Sequence, residues 1–257
     1  MNVRLKRAKE LVGYAVQLTK EEGLPTISVL TPLYNTPEKY LREFLDSFVG
    51  QTAPNGQLCL ADASDAAHGD VERIVKEYQQ KNQRIVYKKI ENQGIAANTN
   101  AAAQLATGEY LALADHDDIL APHALYTMGK AILQLRQRGE PDGFLYSDEA
   151  LFTKSIRRPM VAHFKPDYAP DYLLCCNYIC HLAVFQKALW EQLAANARNA
   201  TAVRIMTCSC VCWKRPAVLP MCRRCSTTGG CTRGLPPVAQ TPSPMWRQQP
   251  KRRWQTT

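Results

Sequence analysis

The last 64 residues of the chain, 194–257, contain no aspartate and no glutamate. Residues 1–193 carry 21 Lys/Arg against 23 Asp/Glu, so the body is near neutral at −2 and the basic excess of +11 sits in the tail. Nowhere does the sequence hold a run approaching the ~20 apolar residues of a membrane-crossing helix. It also shows no leader-like apolar segment, because Arg4, Lys6, Arg7, Lys9 and Glu10 interrupt one. These absences point to a cytoplasmic protein with reduced thiols. A helix over 3–22, with basic residues crowding its start, reads as a docking helix, and peripheral contact at the inner membrane face is its alternative. Also missing is a Gly-rich phosphate loop with a basic residue after the first strand, where residues 31–37 read Thr-Pro-Leu-Tyr-Asn-Thr-Pro. That argues against a nucleotidyltransferase.

What is present is a globular body. With 257 residues and 46% hydrophobic residues the chain can bury one sizeable core and still carry a tail. Three segments follow: an N-terminal helix within 1–24, a domain over 25–193, and a basic Cys/Pro-rich tail over 194–257. Short apolar runs rich in strand formers lie at 27–31, 58–61, 84–89, 110–114 and 144–146. Helical patterns lie between them at 36–51, 69–80, 94–107 and 122–138. Alternation of this kind predicts a mostly parallel Rossmann-like sheet with helices on both faces. Such sheets bind ligands outside the carboxyl ends of their strands. Pro32–Asn35, Asp62, Asp115–Asp118 and Ser147–Glu149 all follow predicted strands, so four polar clusters converge on one edge.

Asp115-His-Asp-Asp118 is the most pointed of these. Three carboxylates within four residues repel one another unless a hard cation sits among them. Mg²⁺ or Mn²⁺ would take one or two carboxylates and the oxygens of a diphosphate. The bland alternative is an acidic loop that complements the dipole of the helix beginning at Pro122.

Four segments in order decide the matter. They are Ile27-Ser-Val-Leu-Thr-Pro-Leu-Tyr-Asn-Thr-Pro37, Ala61-Asp-Ala-Ser64, Gly94-Ile-Ala-Ala-Asn-Thr-Asn100, and Ala106-Thr-Gly-Glu-Tyr110 running on to Asp118. Together they resemble the inverting family 2 glycosyltransferases of the GT-A fold, in the bacterial subgroup that builds O-antigens and rhamnose-rich glycans. Tyr146-Ser-Asp-Glu149, Phe164-Lys-Pro-Asp167 and Asn177-Tyr-Ile-Cys-His181 match the same subgroup. The resemblance covers about residues 26–192. It implies a nucleotide-diphosphate sugar donor and a glycan or lipid-linked glycan acceptor. It implies that Pro32, Tyr34 and Asn35 shape the nucleotide pocket and that Asp62 accepts a hydrogen bond from the base. Asn98 and Asn100 flank a position where the family often has arginine and this chain has Thr99. Asp115 and Asp117 would hold ribose, metal and diphosphate, while Asp118 braces their loop. Asp148 and Glu149 would face sugar or acceptor, and His181 reads equally as a core histidine or a site residue.

The same resemblance makes the tail anomalous. The family carries an Asp-Tyr-Asp-Leu type segment, whose aspartate is the general base, and later a His-Trp-Arg segment. Neither is found here. Instead Cys208, Cys210 and Cys212 precede Cys222 and Cys225, a spacing that also suits zinc. Codons rebuilt from the third base of each codon and the first two of the next give another account. From Arg204 to Trp213 they permit Asp-Tyr-Asp-Leu-Phe-Leu-Arg-Val-Leu, with the second Asp and the last Leu forced by the code. Across Arg224 to Gly234 they permit Val-Leu-Tyr-His-Trp-Arg-Met-His-Pro-Gly. The tail therefore reads as an out-of-frame, disordered translation, and the fold as truncated on its C-terminal side. A zinc module and a disordered basic tail stand as alternatives. No specific nucleic-acid partner is expected. In the body, Cys175, Cys176 and Cys180 at helical spacing read as small buried hydrophobes.

Overall fold

The computed structural model describes residues 23–152, 161–196, 213–214 and 221–224. The expected N-terminal helix lies outside the described residues, as does most of the tail.

The chain enters a sheet through β1 (Ile27–Leu33), whose residues are buried almost throughout, as befits a central strand covered on both faces. Helix α1 (Glu38–Val49) follows Pro37. It buries Leu41, Phe44, Leu45 and Phe48, one stripe at helical spacing. Strand β2 (Gln57–Asp62), helix α2 (Asp70–Lys81) and strand β3 (Ile85–Lys89) add two parallel neighbours on one side. Helix α3 (Ile95–Ala103) then carries the chain back, so that β4 (Tyr110–Leu113) lies parallel to β1 on its other side. These four strands lie in the order β4-β1-β2-β3. The direction of winding therefore reverses between β1 and β4, and the crevice at such a reversal is where open α/β sheets bind ligands.

Pro32 fits this position for a backbone reason. Ala114 N donates to Leu30 O, and Ala63 N donates to Leu33 O. Strand parity therefore turns residue 32 toward β4, which leaves the ladder after Leu113. The missing N–H of proline costs no sheet bond there. Gly108 is required by close approach, because a Cβ would lie 2.7 Å from Ser28 Oγ and 2.8 Å from Thr26 O.

Alternation along the strands feeds two cores. Val29 and Leu33 of β1 join Leu58, Leu60, Phe44, Phe48 and Ile74 on one face. Leu30 joins Cys59, Ala61, Leu111, Phe144 and Phe185 on the other. Each fully buried Leu or Phe contributes about 1.5–3 kcal/mol, so these faces hold the strand ends where the site is built.

Beyond β4 the structure departs from simple alternation. After β5 (Ile119–Leu120) and α4 (Ala124–Gln137), β6 (Phe144–Tyr146) returns to the main sheet. It reaches β4 only through β9 (Ala183–Gln186), an antiparallel strand inserted between them. β7 (Glu149–Phe152) and β8 (Val161–His163) belong with β5 to a second sheet. Helices α5 (Pro170–Cys175) and α6 (Lys187–Asn196) flank β9. Two pieces of the tail take part as strands: β10 (Trp213–Lys214) beside β6, and β11 (Met221–Arg224) between β5 and β7. The helical reading of the three body cysteines is corrected. α5 ends at Cys175, which is exposed, and Cys180 has a positive φ of 43°. Among the described residues no helix is long and apolar enough to cross a membrane.

Candidate functional site

The loops that follow β1 and β2 are clasped together by one asparagine. Asn35 sits at φ 48°, a left-handed position that asparagine tolerates better than most residues. Its N–H donates to Ser64 Oγ at 2.9 Å and its Nδ2 donates to Asp65 Oδ2 at 2.8 Å. Asp65 N returns a bond to Asn35 Oδ1 at 3.0 Å. Asn35 thus fixes the shape of the crevice rim, while Tyr34 beside it stands half exposed.

Asp62, at the end of β2, is fully buried. Ser64 N donates to Oδ1 at 2.8 Å, and Tyr87 Oη and Lys89 Nζ donate to Oδ2 at 2.8 and 2.9 Å. Burial pushes the carboxyl up, but the bonds from Ser64, Lys89 and Tyr87 outweigh it and hold the group below the usual carboxylate range. Asp62 therefore presents a fixed negative charge at neutral pH. Its contribution to stability is present above the unfolded carboxylate value of ~3.9 and is lost as pH falls through the lower folded value.

Helix α3 turns its polar residues inward. Asn98 accepts from Gln93 N at 3.2 Å and donates to Asn92 Oδ1 at 3.1 Å, bracing the loop before the helix. Thr99 is buried and bonds back to Ile95 O at 2.7 Å, so it stands in no open contact position. Asn100 Oδ1 is buried with no hydrogen-bond partner among the described residues.

The loop after β4 carries carboxylates that could hold a metal ion. Asp118 N bonds to Asp115 O at 3.3 Å, closing a turn that brings the first and fourth side chains to one side. His181, from the segment before β9, joins them. Its Nε2 lies 3.0 Å from Asp115 Oδ2, and its Nδ1 lies 3.2 Å from Leu113 O. One ligand atom each from Asp115, Asp118 and His181 falls within 4.8 Å of the others. The sequence pairs Asp115 with Asp117. The structure brings Asp118 and His181 to Asp115 instead, and Asp117 is not part of this group.

Asp148 and Glu149, expected to face sugar or acceptor, are both buried. Asp148 Oδ1 accepts from Lys165 N at 2.8 Å. Glu149 lies 3.4 Å from Lys165 Nζ and 3.1 Å from His163 Nδ1. Lys165 is itself fully buried and donates from Nζ to Ile179 O at 2.6 Å and His181 O at 2.7 Å. The carboxylates thus hold a buried lysine, and the lysine holds the loop that carries His181. Sequence reasoning did not single out Lys165. Its only signal is its place in Phe164-Lys-Pro-Asp167, since lysine is almost never fully buried unless paired.

The profile of Glycosyl transferase family 2 matches residues 28–193. The chain belongs to that family. Among relatives of this family 2 chain, an uncharacterized protein of Sinorhizobium fredii, y4gI, is 35% identical over 194 residues, 74% of this chain and 20% of its own length. The O-antigen biosynthesis protein RfbC of Myxococcus xanthus is 31% identical over 66% of this chain and 13% of its own. The chain therefore spans a fifth or less of these two relatives. The fold is that of the GT-A enzymes. The structure of S. aureus TarS 1–349 with UDP-GlcNAc superposes with a TM-score of 0.59 at 16% identity, covering 80% of this chain and 60% of that one. A mannosyltransferase of Pyrobaculum calidifontis with GDP-Man and Mn²⁺ superposes at 0.54 and 18%, covering 86% and 66%.

Proposed function

We propose that residues 25–193 form the donor-binding half of an inverting glycosyltransferase that transfers a sugar from a nucleoside diphosphate to a hydroxyl of a growing cell-surface glycan. The reaction would take place in the cytoplasm or at the inner membrane face. The observation that carries this reading is the convergence of Asp115, Asp118 and His181 at the β1/β4 reversal, within a family 2 domain.

The three side chains fit a divalent cation, because each offers one ligand atom and the atoms lie close enough to share an ion. Asp115 and Asp118 would hold it, with Asp117, half-buried in the same loop, meeting ribose or a water ligand. Bound Mg²⁺ or Mn²⁺ would neutralise charge on the departing diphosphate. Asp62 would accept an N–H from the base, with Lys89 moving aside or turning to a base carbonyl. Pro32 and Tyr34 would line the crevice, and Asn35, Asn98 and Asn100 would keep its walls in place. Asp148 and Glu149 act on sugar or acceptor through the loop that Lys165 holds, not by contact.

Inversion requires a base that removes the proton of the acceptor hydroxyl as it attacks. No residue of the tail supplies a carboxylate. We ascribe this to a change of reading frame near residue 193. A second reading, a nucleotide-sugar-binding module without catalysis, follows from the same missing base. It differs from a slow enzyme by metal-dependent binding without any transfer.

Titration of the chain with a panel of nucleoside diphosphate sugars, with and without Mn²⁺, tests the reading. One nucleotide sugar is expected to bind weakly, and only when the divalent cation is present. Binding of none of them, or binding indifferent to the metal, would contradict it.

A further inference from the structure

The rings of Tyr146, Tyr178 and Tyr172 form a short series that starts in the core and ends at the surface. Tyr146, fully buried at the end of β6, donates from Oη to Pro166 O at 2.5 Å. Tyr178 meets it edge-on, with ring centroids 6.0 Å apart and planes at 72°. Tyr178 is buried too, and its Oη accepts from Ala169 N at 3.0 Å. Tyr172 of α5 then lies flat on Tyr178, with centroids 5.2 Å apart and planes at 11°. Nearly half of Tyr172 stays exposed. A stack occupies one face of a ring and leaves the other, so Tyr178 sets the direction of an aromatic face that solvent reaches.

The surroundings say what such a face suits. Asp167, Asp171 and Asn177 are exposed in the segments on either side of Tyr172. Two carboxylates are foreign to the core of a protein interface, which is poor in charge, and to a membrane-binding face, which is basic. A sugar ring fits. Its C–H bonds pack on the negative face of an aromatic ring, and its hydroxyls donate to carboxylates and exchange hydrogen bonds with an amide. Position decides which sugar. Tyr146 ends β6 and Tyr178 leads into β9, so the series stands on the flank of β4 opposite to β1, β2 and β3. The nucleotide belongs on the β1 to β3 flank, where Asn35 and Asp62 shape the crevice.

We infer that Tyr172 is the stacking platform for a sugar ring of the acceptor glycan, with Asp167, Asp171 and Asn177 meeting its hydroxyls. The inference rests on the proposed transfer reaction. It gives the acceptor a contact that Asp148 and Glu149, buried around Lys165, do not make.

Saturation-transfer difference NMR tests it, with the methyl glycosides of glucose, galactose, mannose and rhamnose as probes and the intact 257-residue chain as the protein. Irradiation of aromatic protons should reach the C–H protons on one face of at least one of these sugars. Tyr172→Ala should weaken that binding about tenfold, and Tyr172→Phe, which keeps the ring, should preserve it. Binding of the nucleoside diphosphate sugar should be the same in the unaltered chain and both variants, and a thermal melt checks that each is folded. Transfer to none of the sugars, or transfer that persists in Tyr172→Ala, would overturn the inference, and donor binding by the unaltered chain would leave the proposed function standing. Loss of donor binding in folded Tyr172→Ala would also overturn it, because the ring would then belong to the donor. Sugar binding at Tyr172 in a chain that binds no nucleotide sugar would instead overturn the proposed function, and with it the assignment of that sugar to the acceptor.

Discussion

A chain translated in the shifted frame from about residue 193 should transfer sugar at least about 10²-fold, and up to about 10⁴-fold, faster than the 257-residue chain, the range a positioned general base supplies. The expectation follows from where the body stops. The crevice between β1 and β4 and the Asp115, Asp118 and His181 group lie within residues 27–186, whereas the acidic residue proposed to act on the acceptor would be read only in the shifted frame. The aspartate in question arises where Met206 meets Thr207, because ATG followed by AC must read GAC. Parallel assays of nucleoside diphosphate release and glycan product, with the same donor and acceptor, give the comparison. Replacing that aspartate by asparagine in the repaired chain should return the rate to near that of the 257-residue chain. Comparable turnover by both chains would mean that the base lies elsewhere.

Lys165→Met should destabilise the protein by about 3–5 kcal/mol, the cost of breaking a buried ion pair by removing one partner. The lysine is fully buried, and so is Glu149 at 3.4 Å. Without the ammonium the carbonyls of Ile179 and His181 lose a donor, and the buried carboxylate loses a positive charge 3.4 Å away. Chemical denaturation followed by circular dichroism measures the loss. A change within about 0.5 kcal/mol, the range of an ordinary surface substitution, would show that the knot around Lys165 carries little of the stability of this half of the domain.

The parallel half of the fold was legible in the sequence because its strands are long apolar runs between periodic helices. β1 to β4, α1 and α2 fall within one to three residues of the ranges that pattern predicts. The second sheet was not legible. β5, β7 and β8 are two to four residues long, too short to show a period. β9 sits between β4 and β6 by a long-range antiparallel pairing that no local pattern encodes. The site divides in the same way. Asp62 and Asp115 stand where a carboxylate after a predicted strand should stand. Asp148 and Glu149 follow β6 by the same rule, yet β7 and Lys165 draw them inward. His181 could not be placed from sequence, since its partner Asp115 lies 66 positions earlier and is reached only once β9 pairs with β4.

Backbone amide NMR of the 257-residue chain, titrated with a nucleoside diphosphate sugar in the presence of Mg²⁺, tests the central claim most directly. Shifts should gather at Leu33–Asn35, Ala61–Ser64 and Asp115–Asp118, the residues that follow β1, β2 and β4, and should vanish in Asp115→Asn. Shifts confined to residues 194–257 would contradict the account. They would mean that the diphosphate is held by the charge of the basic tail and not by the crevice of the sheet.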